Sequence, residues 1–120
     1  MVRPFRTGLY AFPQIGPYRT MAEVAARAEA MGFDSLWVAD ETAMAYPGVI
    51  GFEAYASLAA LARDTSRIAL GTLISPPVMR HPYLTAMAAT TVDHASNGRF
   101  VLGWASVACP PTTPGWDSPM

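Results

Sequence analysis

The segment Ile68-Ala-Leu-Gly-Thr-Leu-Ile74 constrains the fold most. It is an apolar run of strand length with no alternation of polar residues, the pattern of a strand covered on both faces, and Pro76 and Pro77 stop its hydrogen-bond ladder. A helix then opens on Pro82, where proline is tolerated because the first helical N–H has no intrahelical partner. The same grammar recurs along the chain. A strand within Phe5 to Phe12 leads through Pro13, Gly16 and Pro17 to a helix. Its start is expected at the capping-box pattern Thr20-Met-Ala-Glu23, its buried face at Val24, Ala25, Ala28 and Met31, and its end at Gly32. Strand two is Ser35 to Ala39, followed by a helix over Phe52 to Arg63 with Tyr55, Leu58, Ala59 and Leu61 buried. Strand three is Ile68 to Ile74. The helix from Pro82 closes around Asn97-Gly98, and strand four is Phe100 to Trp104.

Strand starts about thirty residues apart are the spacing of a βα unit, and four consecutive units imply right-handed crossovers and an all-parallel α/β sheet. Periodicity alone leaves an open doubly wound sheet and a barrel equally available. Ligands in either architecture sit at the C-terminal ends of the strands, which here are Tyr10 to Phe12, Asp40 and Glu41, Thr72 to Ser75, and Trp104 to Ser106.

Composition narrows the partners. In 120 residues, 52% are hydrophobic and 14% charged, a balance that calls for more covering surface than one small domain supplies. The basic residues are all arginine and scattered, and the net charge of -1 provides no footprint for nucleic acid or an anionic membrane. The single cysteine, Cys109, cannot form an internal disulfide, and no His or Cys partners stand at zinc-ligand spacing, so no metal site is expected. No apolar stretch reaches membrane-spanning length and no secretory h-region follows Arg3 and Arg6, so the expected setting is cytoplasmic. His81 is expected to cap and pack at a helix start, and His94 to lie at the surface near a helix C-terminus.

Four separated motifs stand in order: Gly32-Phe-Asp-Ser-Leu-Trp-Val-Ala-Asp40, Leu70-Gly-Thr72, Arg80-His-Pro82 and Gly98-Arg-Phe-Val-Leu-Gly103. Together they resemble the N-terminal part of a luciferase-like monooxygenase, the superfamily of FMN-dependent and F420-dependent oxidoreductases, from about Arg6 to Ser106. The resemblance implies a TIM (β/α)8 barrel of which this chain holds the N-terminal half, four of eight strands with three helices, where a whole barrel takes roughly 250 residues. It implies FMN or coenzyme F420 as cofactor, a small organic substrate, and hydride transfer or monooxygenation. It also places Asp40, Thr72, Leu73, Ile74 and Ser75 as the cofactor-binding residues. The Leu73–Ile74 peptide falls where many members have a non-prolyl cis bond in a bulge behind the ring. Many F420-dependent members carry a catalytic histidine at the position of Glu41, so Glu41 is the candidate catalytic residue, as a general acid or base or else as a solvated loop acid.

The resemblance covers 1–106 as a partial barrel domain. After Ser106 a glycine-rich turn of the family gives way to Val107 and to prolines at 110, 111, 114 and 119, so 107–120 is expected to be a divergent, disordered tail and the chain a truncated product. The alternative to an enzyme is an inactive half-barrel that persists by homo-oligomerisation. Leu36, Val38 and Leu70 are expected to face the missing half, and the outer edges of strands one and four to be unpaired.

Overall fold

A computed structural model describes residues 5–11, 16–40 and 51–106, and these form one parallel sheet with three helices. The strands are β1 (Gly8–Ala11), β2 (Ser35–Val38), β3 (Ala69–Thr72) and β4 (Phe100–Val101), and the helices between them are α1 (Tyr18–Ala30), α2 (Ala54–Asp64) and α3 (Pro82–Ala95). The sheet order is β1-β2-β3-β4 and every pairing is parallel, as the repeat predicts. The region 107–120 and residue Glu41 lie outside the described residues, so the expected tail and the candidate acid have no structural account here.

Strand register sorts the side chains into two layers. Leu9, Leu36, Leu70 and Phe100 lie side by side across the sheet, and with Val38 they face the helices. There they join Ala25, Ala28, Tyr55, Leu58, Leu61 and Val92 in one apolar cluster. The other face carries Gly8, Ser35 and Ala69 in one row and Tyr10, Trp37, Gly71 and Val101 in the next. This corrects the expectation for Leu36, Val38 and Leu70, which are fully buried beneath the helices. The physical reason is room. The large aliphatics fill the wide layer between sheet and helices, while the inner face keeps small residues so that one indole can lie across it. A Cβ on Gly71 would come within 2.5 Å of Trp37 Cζ3, and one on Gly8 within 2.8 Å of Trp37 Nε1. Trp37 Nε1–H is held by Ser35 Oγ at 2.9 Å.

The helix ends follow backbone chemistry more than the sequence patterns suggested. Helix α1 begins at Tyr18 with Pro17 as its cap, and no side chain accepts a capping bond. The Thr20–Glu23 capping box does not form because Thr20 already lies inside the helix, its N–H bonded to the Pro17 carbonyl, and Glu23 pairs with Arg19 at 3.9 Å. The early start suits Tyr18, whose hydroxyl donates to Asp64 Oδ2 at the end of α2 at 2.8 Å. The buried stripe is Met21, Ala25 and Ala28, and Met31 is 76% exposed instead of buried, because the helix has ended before it. Gly32, at φ 89°, closes α1 as expected, with its own N–H on Glu29 O and the N–H of Phe33 on Ala28 O. Helix α3 starts where Pro82 predicts, and His81 Nδ1 accepts from Tyr83 N–H at 3.2 Å.

Two charged side chains close the N-terminal side of the sheet. The Arg99 guanidinium donates to the carbonyls of Ala62, Thr65 and Ile68 and to Thr65 Oγ1, so it satisfies carbonyls that the end of α2 leaves open. Glu29 accepts from the backbone N–H groups of Ser66, Arg67 and Ile68 as the chain enters β3. Burial alone would raise the Glu29 carboxyl, but these donors outweigh it and hold the group at about 2, against an ordinary 4.5. A depressed folded-state value contributes stability above the unfolded value that is lost as pH falls through the folded one. Stability is therefore expected to decline between about pH 4.5 and pH 2, and Glu29→Gln should lower stability near neutrality while flattening that limb. Urea midpoints measured across this range check it, and an unchanged acid limb in the variant contradicts it.

Candidate functional site

The C-terminal ends of β2, β3 and β4 meet at a break in the ladder. Strand β3 leaves regular pairing after Thr72, the Leu73–Ile74 peptide is cis, and pairing resumes at a single bridge between Ser75 and Trp104. The cis bond lies where the family resemblance puts one. Leu73 N–H still reaches Val38 O at 2.9 Å, and Ser75 N–H reaches Gly103 O at 2.8 Å, so the two residues are pinned to strands on opposite sides. The Thr72 hydroxyl fills the gap, donating to Gly103 O at 3.0 Å and accepting from Gly103 N–H at 3.1 Å. Only glycine suits this approach, since a Cβ on Gly103 would stand 2.0 Å from Thr72 O.

Behind the break lies a connected polar network. Asp40, fully buried, takes both ends of the Arg80 guanidinium: Nη2–H donates to Oδ1 at 2.9 Å and Nη1–H donates to Oδ2. Oδ2 also accepts from Ser75 Oγ–H at 2.6 Å, and that oxygen accepts from the Tyr55 hydroxyl at 2.9 Å. The other neighbour of Arg80 is Glu53, whose Oε1 accepts at 2.8 Å while its Oε2 caps α2 through Ala56 N–H at 2.6 Å. The guanidinium carbon sits 4.8 Å from the Tyr55 ring centre, a cation–π contact. The hydrogen bonds to Asp40 raise the Arg80 pKa further above its ordinary value against the opposing cost of burial, and burial raises the Tyr55 phenol. The guanidinium thus stays charged and the phenol stays a neutral donor.

The residues expected to bind cofactor are thus brought together but divided by role. Asp40, Thr72 and Ser75 are buried and bonded within the scaffold, whereas Leu73 is 46% exposed and Ile74 is partly so. Leu73 and Ile74 are the members that present surface. The sequence reading missed Glu53 and Tyr55 as partners and left Arg80 without a role. A signal was present: an acid at a buried strand end requires a cation, and Arg80 follows the β3 end by a few residues. His81 is an exposed cap and His94 an exposed residue in the last turn of α3. Among the described residues, no three His, Cys, Asp or Glu gather as a metal site. No described helix is long and apolar enough to cross a membrane.

A profile of the family described as luciferase-like monooxygenase matches residues 3–112. The chain belongs to the luciferase-like monooxygenase family. It is 39% identical over 95 residues to the F420-dependent glucose-6-phosphate dehydrogenase of Amycolatopsis mediterranei, covering 78% of this chain and 28% of that protein. The structure of the coenzyme F420-dependent tetrahydromethanopterin reductase from Methanopyrus kandleri superposes with a TM-score of 0.73 at 29% identity, over 82% of this chain and 26% of that one. The FMN-bound oxygenating constituent of 3,6-diketocamphane monooxygenase from Pseudomonas putida reaches 0.74 over 88% of this chain and 30% of that one; at 22% identity it speaks to the fold alone. The chain spans about a quarter of the length of the curated relatives it matches. Its four parallel strands and three helices are the α/β architecture of the family barrel.

The close approach at Gly103 gives a direct test of the site's frame. Gly103→Ala must push the two strand ends apart, at a cost of about 1–3 kcal/mol. Thermal denaturation should show the loss, and amide shifts of Leu73, Ser75 and Trp104 should move most. An unchanged melting temperature would show that the strands give way freely.

Proposed function

We propose that this chain supplies the first four strands of a luciferase-like oxidoreductase and, at their C-terminal ends, the shelf for the ring of FMN or F420. One observation carries the reading. Leu73 and Ile74 offer apolar surface at the end of β3, while Asp40, Thr72 and Ser75 directly around them are buried and fixed by hydrogen bonds. An apolar support on a rigid frame suits a flat heteroaromatic ring, and a cofactor of this kind supplies hydride chemistry or, for the flavin, oxygen activation. Within that arrangement Leu73 and Ile74 back the ring and exclude water. The buried polar residues hold the shelf, and Glu41, adjoining Asp40 in sequence, is the proposed proton-carrying side chain. The substrate would be a small organic molecule.

Titration of the 120-residue chain with FMN and with F420, followed by ring fluorescence, tests this. The shelf supports only the ring, so quenching is expected with a dissociation constant weaker than low micromolar, and Leu73→Asp should abolish it. Quenching that is indifferent to Leu73→Asp would place the ring elsewhere.

A non-catalytic reading, a self-associating half-barrel, is favoured by the exposure of Tyr10 at 40%, Val101 at 43% and Trp104 at 43% on the inner face and the β4 end. Apolar surface of that kind promotes association. Sedimentation should then show dimers or larger species, and a monomer at high concentration would oppose it.

A further inference from the structure

The network behind the shelf joins segments that lie beyond the regular ladder. Asp40 lies just beyond β2, Ser75 follows the ladder break after β3, Glu53 and Tyr55 open α2, and Arg80 lies in the connection to α3. No ladder bond links Asp40 to Ser75; their contact is the 2.6 Å side-chain hydrogen bond. Asp40 is held in place for that bond by Arg80, which grips both of its oxygens. Arg80 is also fixed by Glu53 and by the Tyr55 ring, and its Nη1–H reaches Ser75 Oγ at 3.4 Å, so α2 braces it against the strand ends it serves. The guanidinium fork matters here, because one donor pair meets Asp40 while a second contact reaches Glu53, a geometry an ammonium cannot reproduce.

We propose that Arg80 is a positioning residue for the ring-facing pair Leu73 and Ile74, acting through Asp40 and Ser75. Ser75 anchors the C-terminal side of that pair, and Leu73 N–H on Val38 O anchors its N-terminal side. Without Arg80 the Asp40 carboxylate loses its partner and turns toward water, Ser75 Oγ–H loses its acceptor, and the C-terminal side of the pair keeps only the Ser75 N–H bond to Gly103 O and the bond from the Tyr55 hydroxyl, a looser tether. Leu73 and Ile74 then sample orientations that no longer present a flat support. The assignment of the ring to this surface rests on the proposed function; the mechanical role of Arg80 does not.

Hydrogen exchange on the full 120-residue chain separates the two. The reporters are the amides of Leu73 and Ser75 at the break and of Ala69 and Leu70 in the sheet, which bond to Val38, Gly103, Asp34 and Arg99 respectively. Because Arg80→Met alone leaves a buried charge and can fail to fold, the informative variants are Arg80→Lys and the double substitution Arg80→Met with Asp40→Asn. In the double variant, exchange at Leu73 and Ser75 should rise about tenfold with Ala69 and Leu70 unchanged, and Arg80→Lys should fall between it and the wild type. The same double variant should weaken FMN or F420 quenching about tenfold without a matching fall in melting temperature. Unchanged exchange at the break, or an equal rise at all four amides, overturns the positioning role. If the exchange pattern appears but the wild-type chain quenches neither cofactor, the ring reading fails and Arg80 is left as a structural latch. If quenching appears with unchanged exchange, the ring reading stands and the role of Arg80 falls.

Discussion

The ion pair between Asp40 and Arg80 is the constraint on which the C-terminal end of the sheet depends. A carboxylate removed from water costs several kcal/mol unless it is paired and hydrogen-bonded, and breaking such a pair from one side costs about 3–5 kcal/mol. Asp40 is satisfied on both oxygens, and its partner is satisfied in turn by Glu53 and by the face of Tyr55. The net gain over an apolar replacement is small on such an account. What the network supplies is geometry, since each member fits only one arrangement of β2, β3 and α2.

The opposite end of the sheet uses charge for a different purpose. Glu29 and Arg99 bond almost entirely to backbone groups, closing the entrance to β3 and the exit of α2. Those contacts satisfy donors and acceptors that the element ends cannot satisfy themselves. At the C-terminal end the bonds run side chain to side chain, and the exposed residues beside them are apolar. This division is the one expected of βα barrels, with stability invested below and ligand contact above.

Much of the fold was legible because it follows from repetition. Four strands, three helices, their order and the parallel pairing all came from apolar runs recurring with helices between them. The glycine stop of α1 and the proline start of α3 were read correctly because each rests on a backbone property of one residue. Failures arose where tertiary contact overrode a local pattern. Thr20 and Glu23 matched a capping box, but the bond from Tyr18 to Asp64 begins the helix earlier. Leu36, Val38 and Leu70 looked like barrel filling because an apolar run does not say which face is which. The structural clue was their neighbours, since Ser35, Ala69 and Gly71 are too small for the outer layer and leave the inner face to Trp37.

The same limit explains what the sequence revealed of the site. The strand-end reading groups Asp40 and Thr72 to Ser75 at one end of the sheet, where they lie, yet treats them alike. Burial distinguishes them, and burial at a strand end depends on what packs behind it. Arg80 was visible only as part of a motif. Its importance comes from pairing with a residue 40 positions away, a relation that no local pattern encodes. Once the buried carboxylate is known, however, the choice narrows quickly. A bidentate partner must be arginine, it must approach from the helix side of the sheet, and it must itself be held so that the pair stays rigid. Arg80, braced by the cap of α2, meets each condition. The exposed apolar pair in front of it can therefore be held in a fixed orientation without any polar group of its own.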